Sequence, residues 1–325
     1  MMSLAKTLCA VAVFGAASAA SAGTQPALDL INRNFGAAAA AAFTLEIKDG
    51  ACGKAAAPCF SLSQAGGKVA VTASSISELT YGIGYYTRYT CGLTVGRDKW
   101  GGSHTNASSW PCTGSMPAFS LARAVPYTYQ DNVCTHSYSY VWYGEEEWQQ
   151  HVDQMALSGI NVFYAITGQE EIQYKAFLQF GLKDVEIREF FNGPAYLTWS
   201  RGQSMQTVGT GKSVNSINGN LGSGLPRSWM KAQHALQIKI LAMTRPLGII
   251  GVLPAFQGNM PPQIKTLKPT ANVSTTHDPS KGSEGNCAWV AGSDPLFGLV
   301  ADAWMKIMIA DFGTSSVLRI ASARF

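Results

Sequence analysis

The chain has 325 residues, 24 Lys and Arg against 20 Asp and Glu, and a net charge of +4, with charged residues at only 14%. Hydrophobic residues at 46%, including 14 Phe, 12 Tyr and 8 Trp, supply a large core and exclude disorder, collagen and coiled coil. No run of Lys or Arg could follow a phosphate backbone, and no segment reaches roughly 18 uninterrupted apolar residues. Neither a nucleic-acid partner nor a membrane span is expected.

Residues 1–22 read as a signal peptide. Lys6 precedes an apolar run from Leu8 to Gly15, and a small-residue stretch ends in Ala20-Ser21-Ala22, an A-x-A cleavage pattern. This predicts entry to the secretory pathway, with an extracellular or lysosomal/vacuolar destination. Cys9 leaves with the signal, so Cys52, Cys59, Cys91, Cys112, Cys134 and Cys287 remain in an oxidising compartment. Sequence alone does not choose among their pairings. Proximity suggests Cys52–Cys59 and Cys91–Cys112, each closure contributing about 2.5–3.5 kcal/mol on a loop-entropy view. No C-x-x-C pair or His spacing suited to zinc occurs, so neither metal nor cofactor is expected. Asn106-Ala107-Ser108 and Asn272-Val273-Ser274 are N-glycosylation sequons.

Residues 23–125 are small and turn-rich and predict a modest α+β domain. Within it the alanine run at 37–42 leads into an alternating strand, Phe43 to Ile47. A second strand covers Val69 to Ala73, and Ile76 to Tyr89 reads as a helix interrupted near Gly82 and Gly84. The rhythm changes after Pro126. The segment 137–143, SYSYVWY, alternates like a strand. A helix should open at Glu145, whose acids favour the positive end of the dipole, and stop at Gly159. A strand at 160–166, helices at 169–181 and 186–191, and an unpatterned Gly/Ser/Asn-rich loop at 201–224 follow. Next come a helix near 229–245, a strand at 248–253, a helix from Pro295, and a candidate fourth strand at 316–321. Strands alternating with helices predict an α/β class: βαβ units on a parallel sheet over residues 126–325.

In such folds the strand C-terminal ends carry the chemistry. The polar stretches next to the strands are Asn132 to Thr135, which precedes the first strand, Thr167 to Glu171 after the second, and Pro254 to Asn259 after the third. Glu170 and Glu171 are candidate catalytic carboxylates, although acids at a helix start also serve the dipole. Glu145 to Glu147 read as a solvated first turn. Cys134 lacks the sequence context of a catalytic thiol, and Ser204 lacks a nucleophile elbow. Tyr138, Trp142 and Trp199 could stack on a sugar or simply pack.

Longer motifs are more specific. NVCTHSYSYVWY (132–143), EWQQHVDQMALSGINVFYAITGQEEI (147–172), EIREFFNGPAYLTWSR (186–201), LGIIGVLPAFQGNMP (247–261) and DPLFGLVADAWMKIMIADFG (294–313) occur in order. Together they resemble the α-N-acetylglucosaminidases, glycoside hydrolase family 89, with a fainter likeness in YGIGYYTRYTCG and WGG at 81–102. The resemblance implies a small N-terminal α/β domain followed by a (β/α)₈ barrel, here incomplete, with three or four of eight strands. It implies retaining hydrolysis of terminal α-linked N-acetylglucosamine from glycans such as heparan sulfate. By motif, Asn132, Cys134, Tyr138 and Trp199 would line the terminal-sugar subsite, with Gln169 and Glu170 at the second strand's end. The sequence departs at Trp142-Tyr143-Gly144-Glu145, where the family has Trp-Trp-Asp-Trp, and in a longer 202–224 loop. The family's acid/base Glu lies in D-x-F-N-E just after the segment ending here at Asp311-Phe312-Gly313. In this sequence no acidic residue follows Asp311. The sequence-based expectation is therefore an N-terminal fragment, inactive by itself, that would need the rest of its own barrel. The alternative is a carbohydrate-binding secretory protein without hydrolysis.

Overall fold

The computed structural model describes residues 23–53, 57–113, 116–191, 195, 224–275, 288–314 and 317–320. The expected signal peptide, Trp199, Cys287 and most of the 201–224 loop lie outside the described residues.

The N-terminal region opens with helices α1 (Gln25–Phe35) and α2 (Ala37–Ala42), the latter formed by the alanine run. Strands β1 (Phe43–Ile47), β2 (Cys59–Ala65) and β3 (Lys68–Ala73), helix α3 (Ile76–Tyr89) and strand β4 (Phe119–Ala122) follow. The sheet runs β1-β3-β2-β4, with β1 parallel to β3 and the other pairs antiparallel. Cys52–Cys59 and Cys91–Cys112 form disulfides, with Cα separations of 6.3 and 5.4 Å.

Helix α3 is continuous, so Gly82 and Gly84 do not interrupt it as the sequence suggested. They are there for close approach. A Cβ at Gly82 would meet Val71 Cγ1 at 2.8 Å, and one at Gly84 would lie 1.8 Å from the Leu157 carbonyl oxygen. The helix thus presses on its own sheet at one glycine and on the second region at the other.

The second region begins with β5 (Tyr129–Gln130), α4 (Val133–Ser137), a 3₁₀ turn (Ser139–Trp142), α5 (Glu145–Leu157) and β6 (Val162–Tyr164). It continues through α6 (Gln169–Leu178), α7 (Asp184–Phe190), α8 (Arg227–Thr244) and β7 (Ile250–Pro254). A small antiparallel sheet, β8 (Asn259–Met260), β9 (Val273–Thr275) and β10 (Ala288–Val290), surrounds the short α9 (Ile264–Leu267). Helix α10 (Pro295–Phe312) and strand β11 (Val317–Ile320) complete the described elements. The main sheet runs β11-β7-β6-β5 and every pair is parallel. The expected fourth strand is present.

One strand was misplaced by sequence. Ser137 ends helix α4 and Ser139–Trp142 form the 3₁₀ turn, so residues 137–143 are not a strand. His136, Tyr140 and Tyr143 are each 3% exposed, whereas Tyr138 and Trp142 are 44% and 61% exposed. The buried positions fall at i, i+4 and i+7, a helical period that the alternation of Ser and Tyr disguised. The true first strand is the two-residue β5, whose Tyr129 and Gln130 pair with Val162 and Phe163.

The parallel sheet is apolar on both faces. Val162, Tyr164, Ile166 and Val252 form one small cluster, while Phe163, Ala165 and Leu253 belong to the large core shared with the helices. Strand alternation therefore separates an inner barrel face from an outer, helix-covered face. At Gly251 a Cβ would meet Leu241 of α8 at 2.8 Å, so this glycine seats the helix on the sheet. Trp304 Nε1 donates to the Pro254 carbonyl at 3.2 Å and fixes α10 at the end of β7.

Polar locks tie the two regions together. Arg33 donates to both Asp153 oxygens at 2.8 and 2.7 Å, and Asn34 Nδ2 donates to the same carboxylate at 2.7 Å. Arg123 pairs with Glu78 in a buried contact and donates to Thr128 Oγ1 at 2.9 Å, just before β5. The backbones of the two regions also approach closely where Gly84 faces Leu157. Gly84→Ala should destabilise the protein by about 3 kcal/mol, because the added methyl meets main chain that cannot rotate away. Thermal unfolding of wild type and variant checks this, with Gly101→Ala, where a Cβ meets nothing within 4 Å, as the control.

Candidate functional site

Because β5 ends at Gln130, the segment Asn132 to Cys134 follows the first strand rather than preceding it. That correction moves it to the C-terminal end of the parallel sheet, beside the segment that follows β6. Cys134 is half-buried and packs against the inner-face cluster of Val162, Tyr164, Ile166 and Val252, and its thiol is not in a disulfide. Asn132 caps α4: its Oδ1 accepts from the Cys134 and Thr135 main-chain N–H groups at 2.9 and 3.2 Å, and from Thr135 Oγ1 at 3.3 Å. The cap uses only the oxygen, so the Nδ2 group of this exposed residue stays outside it. Tyr138 stands half-exposed at the end of α4.

At the end of β6, Gly168 adopts φ 73° where α8 crosses closely; a Cβ there would lie 2.6 Å from His234 main chain. Gln169, Glu170 and Glu171 then start α6, and all three are buried. Both acids sit in the first turn of α6, as their dipole-serving reading requires, but they are buried rather than solvated. Glu171 forms a two-bond pair with Arg227, whose Nη2 donates to Oε1 at 2.9 Å and whose guanidinium lies 3.5 Å over the Tyr174 ring. Glu171 is thereby committed to holding the start of α8. Gln169 is fully buried, and neither of its amide atoms has a partner among the described residues.

Behind Asn132 lies a buried polar cluster that the sequence did not suggest. Asp131, at φ 83°, is the one non-glycine residue with positive φ among those described. Such a backbone costs about 1–3 kcal/mol and persists only where its surroundings fix it. Here the carboxylate is fixed. Tyr140 Oη donates to Asp131 Oδ1, and with that proton committed, His151 Nε2 is the donor to Tyr140 Oη at 2.9 Å and Asp131 Oδ2 at 3.2 Å. His136 packs edge-on to Tyr140 at 5.0 Å, and Trp148 lies 4.9 Å from the same ring. The N-terminal region closes the cluster: Arg97 lies 5.8 Å over the Tyr140 ring, and Tyr143 Oη donates to Asp98 Oδ2 at 3.2 Å. Burial pushes the Asp131 carboxyl up, but the bonds from His151 and Tyr140 and the charges nearby outweigh it and hold it below the ordinary range. Burial also drives the Tyr140 hydroxyl far above its ordinary value, so it remains a donor.

Among the described residues, no group of three or more His, Cys, Asp or Glu is placed to hold a metal ion. No described helix is long and apolar enough to cross a membrane.

The sequence matches the family model described as "Alpha-N-acetylglucosaminidase (NAGLU) N-terminal domain" over residues 25–112. It matches "Alpha-N-acetylglucosaminidase (NAGLU) tim-barrel domain" over residues 128–322. The chain belongs to the α-N-acetylglucosaminidase family. It is 33% identical over 300 residues to the human α-N-acetylglucosaminidase, covering 89% of this chain and 37% of that protein. In fold it is similar to a family 89 glycoside hydrolase from Clostridium perfringens solved with its substrate GlcNAc-α-1,4-galactose (TM-score 0.73, 22% identity, 90% of this chain and 31% of that one). The same holds for a family 89 hydrolase of that organism with 2-acetamido-1,2-dideoxynojirimycin (TM-score 0.74, 22% identity, 91% and 32%). The chain thus spans a little over a third of the curated relative it matches. The α/β class expected from sequence, an N-terminal α/β region followed by part of a barrel, stands.

The Asp131 pair carries a pH signature. A carboxyl held below its ordinary value in the folded state stabilises the protein above the unfolded value, about 3.9, and that stability is lost as pH falls through the folded value. Asp131→Asn should therefore show a shallower loss of unfolding free energy below about pH 4 than wild type. Urea unfolding across pH 2–6 reads the difference, and superimposable curves would place the acid-labile carboxylate elsewhere.

Proposed function

We propose that this chain supplies the terminal-sugar end of an α-N-acetylglucosaminidase: the N-terminal domain, at 23–125, and the first four strands of the barrel, at 126–325. In this reading the partner is a glycan ending in α-linked N-acetylglucosamine, recognised by Asn132, Cys134, Tyr138 and Trp199, with Gln169 and Glu170 contributing from the end of the second strand. The observation that carries the reading is the position of Asn132 and Cys134. They follow a parallel strand's C-terminal end, where barrel enzymes hold their substrates, and Cys134 rests on the inner-face cluster. An amide cap, a thiol and a half-exposed tyrosine suit a neutral, hydroxyl-rich ring better than an anion or a metal.

Retaining hydrolysis needs two carboxyl groups about 5–5.5 Å apart, one acting as acid/base and one as nucleophile. Of the three strand-end acids described, Asp131 is bound by Tyr140 and His151 and Glu171 is paired with Arg227, so neither offers Glu170 an uncommitted carboxyl to work with. The four parallel strands among the described residues are also half of the eight that close a barrel. We therefore propose that these residues alone bind sugar without turning it over, and that hydrolysis requires the remaining strands. Cleavage after Ala22 on the secretory route, and glycans on the exposed Asn106 and Asn272, belong to the same reading.

The test is calorimetric titration of residues 23–325 with N-acetylglucosamine, beside turnover of an aryl α-N-acetylglucosaminide. Binding without turnover is expected, and Asn132→Ala should weaken it about tenfold, the worth of one good hydrogen bond to sugar. Trp304→Ala should lower the unfolding temperature instead. Turnover abolished by Glu170→Gln would overturn the non-hydrolytic part of the reading, and absence of any binding would overturn the sugar site.

A further inference from the structure

Asp131 joins the end of β5 to the Asn132 cap through a left-handed backbone, and three side chains from outside that turn meet its carboxylate directly or at one remove. Tyr140 reaches it from the 3₁₀ turn and His151 from α5, while Arg97 from the N-terminal region lies over the Tyr140 ring. We propose that Asp131, Tyr140 and His151 are positioning residues that set the aim of Asn132 and Cys134 at the sugar site; this rests on the reading of that site given above.

The cluster accounts for three features that are otherwise independent. A non-glycine residue keeps φ 83° although glycine would adopt it freely. A His–Asp–Tyr network is buried although an apolar core would need no such satisfaction, and removing any one member leaves a stranded partner. The 97–98 segment of the N-terminal region is directed onto Tyr140 and Tyr143, so the two regions share one support. If the carboxylate held only the chain's local fold, glycine at 131 would serve as well or better, since it relieves the backbone. If it aims the cap, glycine fails and an acceptor of the same shape succeeds.

Two readouts separate this from the sugar-site reading. The first is the alkylation rate of Cys134 by iodoacetamide, followed by peptide mass mapping, which needs no sugar. The second is N-acetylglucosamine affinity. Asp131→Gly should raise the Cys134 rate and weaken sugar binding, each about tenfold, roughly the worth of one charge-assisted hydrogen bond. Asp131→Asn keeps an acceptor for the Tyr140 hydroxyl and tolerates positive φ; its amide N–H faces His151 Nε2, which accepts it by changing tautomer, and both readouts should return to within about threefold of wild type. Tyr140→Phe keeps the ring, removes the hydroxyl and should match Asp131→Gly, which covers the case of a poorly folded position-131 variant. Wild-type Cys134 rates in both Asp131→Gly and Tyr140→Phe would overturn the positioning role. Changed Cys134 rates in a protein that never binds the sugar would instead overturn the sugar-site reading and leave the aiming role standing.

Discussion

The arrangement depends on how the first barrel strand ends. Two residues of β5 pair with β6, and the chain must then turn over the inner face while keeping its register. Asp131 makes that turn in a conformation that L-residues disfavour, held by a carboxylate with no freedom to leave. With that turn fixed, Asn132 can cap α4, Cys134 can rest on Val162, Tyr164, Ile166 and Val252, and Tyr138 can stand out toward solvent. Strand pairing alone would not select this outcome, because two paired residues provide too few bonds to hold register unaided.

The N-terminal region is part of that support. Its sheet docks through α3, whose Gly84 lets the helix touch the Leu157 carbonyl at the end of α5. Arg33 and Asn34 hold Asp153 on the same helix, and the loop at 97–98 reaches Tyr140 and Tyr143. Helix α5 therefore carries His151 toward the strand end on one face and bonds the N-terminal region through Asp153. A substitution in the first hundred residues can reach the strand-end site through this helix or through the 97–98 loop. The buried pairs give geometric definition more than net energy, since desolvation offsets much of their attraction.

Much of this was legible in the sequence. The helix from Glu145 to Gly159, the apolar strands near 160–166 and 248–253, and the last helix from Pro295 all carried the period that they adopt. The two short-range disulfides followed from proximity. The region 127–143 was read wrongly for a physical reason. A two-residue strand has no periodicity to detect, and a serine–tyrosine alternation imitates one whose buried members in fact recur at 136, 140 and 143. Moving the strand upstream changed the meaning of Asn132 and Cys134 from a lead-in to a strand end. The Asp131–Tyr140–His151 cluster left no pattern, because its members lie on three different elements and meet only after folding. Likewise Glu171 looked like a dipole-serving acid until Arg227, 56 residues away, came to face it.

The central claim is that the residues after β5 are aimed at a sugar by the cluster behind them. A crystal structure of residues 23–325 grown with N-acetylglucosamine tests it most directly. The account predicts the sugar at the C-terminal ends of β5 and β6, within hydrogen-bonding distance of the Asn132 amide, with Asp131 still at positive φ and bonded to Tyr140 and His151. Sugar bound at the opposite end of the strands, or an Asp131 relaxed to negative φ beside an unmoved Asn132, would contradict it.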